Sequence, residues 1–234
     1  MELLLERGNS RVGRDELRHV PTPEHTKTWK PVSHYQAAEL TVRQAERNGY
    51  RILTEEYGIT PTGSRMFGLL RIHKADHPEF TRAIGIRNAH DKSLAFGITA
   101  GFSVMVCSNL CFSGELTMFR KHTSGINLIE MIPEAFEQLE EQYERLEDNI
   151  DRLKDERISE RQAKLLTVKA AEEKVIPSCD IIPVIQAYMQ PPHEAFEARN
   201  NWSLYNSFNE VAKKYSPSRA DLCYRGLAKL FSLN

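Results

Sequence analysis

The chain reads as an α+β protein: an antiparallel β-sheet meander in the N-terminal half, packed against a helical C-terminal half that contains an antiparallel helical hairpin. Three observations predict this. Between Tyr50 and Gly114 apolar residues recur with a period of two, in short runs rich in β-branched and aromatic residues. From Ile132 the period lengthens: Ile132, Phe136, Leu139, Tyr143, Leu146, Ile150 and Leu153 repeat in alternating steps of four and three, a heptad seam. A chain of 234 residues with 41% hydrophobic residues can also bury one substantial core, so residues 1–234 are expected to form a single domain.

The elements follow in order. Residues 1–32 hold Pro21, Pro23 and Pro31 around Trp29 and read as an extended arm lying over the domain, with Trp29 as its anchor. Residues 33–49, "SHYQAAELTVRQAERNG", predict a helix opened by Ser33 and Gln36 as a capping box and closed by Gly49. The β-rich part spans 50–125. Its runs "RILTEEYGIT", "RMFGLLRIHK", "FTRAIGIRNA", "LAFGITAGF" and "VMVCSNLCFSG" are broken by "PTGS", "ADHPE" and "HDKS". Within it Phe80, Arg82, Ile84 and Ile86 alternate with Thr81, Ala83, Gly85 and Arg87, which predicts one apolar face and one open to solvent or ligand. The helical part spans 126–234. Pro133 suits the first turn of the seam helix, and "SERQAKLLTVKAAEEKV", opened by Ser159 and Gln162, is its expected partner. A second copy of the chain, through the 132–153 helix, is the other partner such a seam accepts. "NNWSLYNSFNEV" and "SPSRADLCYRGLAKLF" read as two more amphipathic helices. The asparagines of the first are expected to cap and bond locally, and Ser216 and Pro217 open the second.

Charge narrows the function classes. Thirty-one basic against 32 acidic side chains argue against a wholly polybasic partner-binding protein. Local balances differ: from Pro61 to Gly125 eight Lys/Arg face four acids, and between Glu130 and Glu160 twelve acids face four basic residues. The run "MELLLERGNS" is too short for a signal peptide's apolar region, and nowhere do eighteen apolar residues follow one another, so no membrane partner and a cytoplasmic location are expected. Four scattered cysteines suit a reducing compartment. Cys107 and Cys111, with His90 or His122, lack the paired spacing of a structural zinc site, and beside Val and Met they read as core hydrophobes rather than nucleophiles. Neither metal nor cofactor is expected.

Two clusters carry candidate chemistry. In "IGIRNAHDKSLAFG", Arg87, Asn88, His90, Asp91 and Lys92 offer cations for phosphate, an amide, and a His–Asp pair. Local chemistry reads the same stretch as a hairpin end, with Asn88 and Asp91 bonded to their own backbone. In "FRKHTSG", Arg120, Lys121, His122 and Thr123 could hold a phosphate through cations, hydroxyls and loop N–H groups, but without the glycine and lysine spacing of a P-loop. Both clusters flank one β-region, beside Phe67, Phe96, Phe102 and Phe112, which suggests a surface that tracks a phosphate backbone and stacks bases, if those rings are not core.

The segments "VPTPEHTKTWKPVSH", "RMFGLLRIH", "IGIRNAHDKSLAFGITAG", "VMVCSNLCFSG", "RKHT" and "NNWSLYNSFNEV" together resemble the family catalogued as domain of unknown function 932, across nearly the whole chain. The resemblance implies an association with phage, plasmid and other mobile elements, and no agreed activity or residue roles.

The reading that follows is a non-catalytic nucleic-acid-binding protein, with DNA or RNA as partner and Arg87, Asn88, Lys92, Arg120, Lys121 and Thr123 as the anion-binding set. The alternative is a hydrolase or phosphotransfer enzyme with His90 as general base, Asp91 orienting it, and Arg87, Lys121 and His122 stabilising developing charge. A third reading gives the helical hairpin a role in self-assembly or capture of a host protein. All but the last require the two clusters to converge.

Overall fold

In the computed structural model, residues 10–74, 80–104, 110–112 and 118–233 are described. Seven antiparallel strands form one sheet: β1 (Ser10–Val12), β2 (Arg51–Ile59), β3 (Arg65–His73), β4 (Phe80–Ala89), β5 (Phe96–Val104), β6 (Leu110–Phe112) and β7 (Met118–Arg120). The first five follow chain order, and β6 and β7 divide the outer edge of β5 between them, opposite Gly101–Ser103 and Phe96–Ile98. The helices are α1 (His34–Arg47), α2 (Leu128–Asp155), α3 (Glu160–Glu172), α4 (Ile181–Met189), α5 (Asn201–Ala212) and α6 (Pro217–Leu230). The architecture is the α+β meander that the two periodicities predict.

The differences have physical causes. The arm is more than extended chain: it contributes β1 to the edge of β2 and a short helical turn, Asp15–His19, that buries Leu17 completely. Ser33 stands at the N-cap of α1 without a side-chain capping bond, whereas Ser159 and Gln162 close a full capping box on α3. α2 starts five residues before Pro133, because Asn127 caps it by accepting from the Ile129 N–H. Asn206 and Asn209 bond to carbonyls one turn back on α5, Trp202 and Tyr205.

The seam of α2 is buried along its length, from Ile132 to Leu153. What fills it is the sheet, α1 and α5; α3 packs chiefly on α4 rather than lying along α2 as a hairpin partner. The seam is thus satisfied within the chain. Burying seven large side chains there, at about 1.5–3 kcal/mol each, is the principal force holding the helical half to the sheet. Two polar pins fix its register. Tyr143 donates from its hydroxyl to the Ala83 carbonyl at 2.8 Å. Glu140 accepts from Tyr50 (2.7 Å), Lys74 (2.5 Å) and Arg82 (2.7 Å); although burial pushes the other way, these donors hold its carboxyl down to about 2.

Both faces of the sheet are covered at its centre. One carries Phe80, Ile84, Ile86, Ile98 and Phe102 against α1 and α2. The other, expected to be open, carries Ala83, Gly85 and Arg87 and is buried too. There the Phe112 ring lies over Gly85 and Gly101 and packs edge-on against Tyr224 of α6 at 5.5 Å. Phe67, Phe96 and Phe102 are buried to 8% exposure or less, so none of them is a stacking platform for bases.

A Cβ on Gly101 would come within 2.7 Å of the Cys111 carbonyl as well as striking the Phe112 ring. Because backbone cannot yield cheaply there, Gly101→Ala is expected to destabilise the protein by about 3 kcal/mol, read as a lowered urea midpoint; an unchanged midpoint would show that the close β5–β6 approach is not tight.

Candidate functional site

The two clusters meet, and what they close on is the chain's own arm. Strand pleating sends neighbouring side chains to opposite faces, so Asn88 and Arg87 part at the end of β4. Asn88 turns toward α1 and the arm. Its Nδ2 donates to the Val32 carbonyl at 2.8 Å and lies 2.8 Å from His34 Nδ1. His90 Nε2 donates to the same carbonyl at 2.8 Å. From the loop after β7, His122 Nδ1 accepts the Val32 N–H at 3.3 Å, and the His122 carbonyl accepts the Lys30 N–H at 3.1 Å. Trp29 then pairs with Thr123 in an antiparallel bridge. One residue of the arm thereby has both its backbone N–H and its C=O held by side chains.

The network fixes the tautomers. His34 Nδ1 accepts from Asn88, so its Nε2 carries the proton and donates to the Gly63 carbonyl at 2.9 Å. His122 Nδ1 accepts, so its proton also sits on Nε2. His34 and His90 stack with ring centroids 3.8 Å apart and planes within 3°. Burial, and next the His90 ring, push the His34 imidazole down to about 4. Burial also lowers His90, against the opposing pull of the Val32 and Pro21 carbonyls and the Asp91 carboxylate, and lowers His122, helped by His90. All three rings are neutral at pH 7. Three buried polar atoms in this region have no hydrogen-bond partner among the described residues: Asn88 Oδ1, His122 Nε2 and Trp29 Nε1.

Several expectations change. The His90–Asp91 pair does not form: Asp91 Oδ2 accepts from Arg65 at 2.8 Å, and Oδ1 accepts the Ser93 N–H at 3.0 Å in the turn that local chemistry predicts. Although burial opposes it, the Ser93 bonds and the Arg65 guanidinium hold the Asp91 carboxyl below its usual range. His90 instead donates to a main-chain carbonyl of the arm and lacks the Asp91 partner that the general-base reading gave it. Arg87 leaves the anion-binding set, because it is 5% exposed and paired with Asp221 of α6 at 3.1 Å, which Arg225 also contacts at 2.9 Å. Asn88, fully buried, leaves it for the same reason. Lys92, Arg120, Lys121 and Thr123 are exposed. Lys92, in the left-handed region at φ 63°, sets its Nζ 4.8 Å from the Trp29 ring. Lys30 and Lys27 of the arm join this rim. Lys27, Lys30, Lys92 and Lys121 have no carboxylate partner among the described residues.

His34 and Val32 were not singled out by the sequence reading. His34 was legible only as part of a helix start, and Val32 acts through its backbone, which no side-chain pattern reports. Cys107 lies outside the described residues; burial pushes the Cys111 thiol up to about 12, so it is a protonated core residue at pH 7. Among the described residues no group of three or more His, Cys, Asp or Glu side chains could hold a metal ion, and no helix is long and apolar enough to cross a membrane.

Residues 24–230 match the family described as Domain of unknown function (DUF932). No curated protein and no solved structure matches the chain.

If the clamp is what orders this region, Asn88→Ala should lower stability by about 1–3 kcal/mol, since it strips partners from two buried groups. Asp91→Asn, at an exposed turn, should cost under about 1 kcal/mol. Urea midpoints of the two variants check the contrast, and equal losses would contradict it.

Proposed function

This chain belongs to the DUF932 family, a kinship that carries no activity, and from its geometry we propose that it is a non-catalytic nucleic-acid-binding protein that grips the phosphate backbone with the basic rim at one end of the sheet. The rim is built from three chain segments: the arm with Lys27 and Lys30, the β4–β5 turn with Lys92, and the 120–125 loop with Arg120, Lys121 and Thr123. The observation that carries the reading is the convergence of these three cation-bearing segments at Trp29, through the Lys92 contact, the Thr123 bridge and the bond from the Lys30 backbone N–H to the His122 carbonyl.

The chemistry favours phosphate over a small carboxylate. The lysines sit on separate segments and at the surface, which suits a chain of evenly spaced charges better than a single deep anion. Thr123, Ser124 and Gly125 are exposed and add hydroxyl and N–H donors. Trp29, half-buried beside them, is the one aromatic ring at the rim that a base could approach. The sheet faces and Arg87 play no part in this reading. A catalytic role is less favoured, because His90 and His122 spend their hydrogen bonds on the arm's backbone.

Binding through a rim of lysines should weaken steeply as salt rises. With Lys30, Lys92 and Lys121 all changed to Gln, the slope of log K against log salt should flatten by about 2–3, at about 0.7–0.9 per phosphate contact, with fluorescence anisotropy of labelled single- and double-stranded oligonucleotides as the measurement. Absence of any binding at low salt sinks the proposal.

A further inference from the structure

We propose that the histidine clamp around Val32 is a proton-operated latch: mild acid frees residues 20–32 of the arm from the domain while β1, the rest of the sheet and the helices stay folded. This goes beyond the nucleic-acid reading and does not depend on it. Its basis is the bonding pattern. His122 Nδ1 accepts the Val32 N–H, and His34 Nδ1 accepts from Asn88 Nδ2, the group that also holds the Val32 carbonyl. A proton on either Nδ1 turns an acceptor into a donor facing a donor, and the bond becomes a repulsion. Asn88 cannot relieve it by turning over, because its Oδ1 would then face the Val32 carbonyl. A proton on His90 keeps its bond to that carbonyl and is favoured by the Pro21 carbonyl of the arm, so the release rests on His34 and His122; it does set a charge in a ring stacked 3.8 Å from His34.

The surroundings add to the effect. The charged groups around the clamp are Lys92 and Asp91 on the β4–β5 turn, Arg65 at the start of β3, Lys30 on the arm and Lys121 beside His122. Asp91 is the one carboxylate in this set, and Arg65 and Ser93 already occupy it. Its charge favours a proton on His90, but among the described residues no carboxylate acts on His34 or His122. The docked arm also leaves Asn88 Oδ1, His122 Nε2 and Trp29 Nε1 buried without partners, and release hydrates all three. Against this, the arm from Pro21 to Thr28 is exposed throughout and carries little apolar burial to hold it down. The elements that would remain folded are held independently, by the α2 seam and the Glu140 cluster.

The sign follows from linkage. The rings are harder to protonate docked than free, so docking is fully favourable above the free histidine value of about 6.5 and weakens as pH falls toward the docked values. With His34 lowered to about 4, that ring alone should loosen the arm by at most roughly thirtyfold between pH 7.5 and pH 5, the limit in which the docked arm accounts for the whole shift. Hydrogen exchange of the full chain, corrected for intrinsic rates, reads it directly. Peptides covering residues 20–32 should lose protection at least about tenfold by pH 5, while those from residues 80–104 stay protected. His122→Asn, which keeps an acceptor where Nδ1 stood and cannot titrate, should move the midpoint of release down by about half a pH unit or more. Arm protection that is constant to pH 4.5, or that falls only in step with the sheet, overturns the latch, as does an unchanged midpoint in His122→Asn.

Discussion

The main chain of Val32 is the constraint on which this end of the molecule depends. Its N–H and C=O are bonded by His122, Asn88 and His90, groups from two regions about thirty residues apart, so satisfying one residue's backbone orders three segments at once. Between the Asp15–His19 turn and Trp29 the arm has few other means of attachment. Pro21, Pro23 and Pro31 deny it N–H groups for a ladder, and residues 21–28 are exposed. A polar clamp also defines position more sharply than apolar contact would, because each bond has a direction. Arm, β4–β5 turn and 120–125 loop therefore acquire a fixed arrangement that no one of them could hold alone.

The same sheet separates this end from a second, charge-bearing contact. Arg87, one residue from Asn88, emerges on the opposite face and reaches Asp221. Burial there disfavours the guanidinium's charge, and Asp221 offsets part of that cost. An ion pair so placed contributes little net stability but is costly to break from one side, so it specifies where α6 lies against the sheet. With Phe112 packed into the space that Gly85 and Gly101 leave, this face is closed at its centre by aromatic and ionic contacts. The surface available for a polyanion is then the rim where the strands end.

Much of the fold was legible because period and burial go together. The run "FTRAIGIRNA" coincides with β4 end to end, and the heptad residues of α2 are all buried. What filled that seam was not legible: a heptad pattern states that a surface is apolar and leaves open whether a helix or a sheet covers it. The site was half legible. Trp29 as an anchor could be anticipated from the chemistry of its segment, whereas the meeting of the two clusters was a condition the sequence posed and left open. The loss of Arg87 from the site could have been read from strand parity, which places it opposite Asn88 and His90. Its partner lies 134 residues away and no local pattern points there. The Arg65–Asp91 pair was recoverable in principle, since β3 and β4 pair Arg65 with Ala89, two residues from Asp91. His34 was hidden in a helix-start signature, and a backbone ligand such as Val32 leaves no trace in composition.

The lysine rim and the histidine clamp are best understood as one electrostatic unit. Lys92 and Lys121 stand beside His90 and His122 in the chain, and the Lys30 backbone N–H is bonded to the His122 carbonyl, so rim and clamp are built on the same three segments. In the proposed reading, a polyanion laid across the rim would ease protonation of the rings beneath. Linkage makes the effect mutual: whatever a bound phosphate chain does to proton affinity, protons do to phosphate affinity, provided the arm stays in place. Arm release opposes this, because it removes Lys27, Lys30 and Trp29 from the rim. The two terms have opposite signs as pH falls. Which dominates depends on how much of the binding free energy the arm supplies, and that share is set by its two lysines and one indole against the Lys92, Arg120 and Lys121 that remain on the domain.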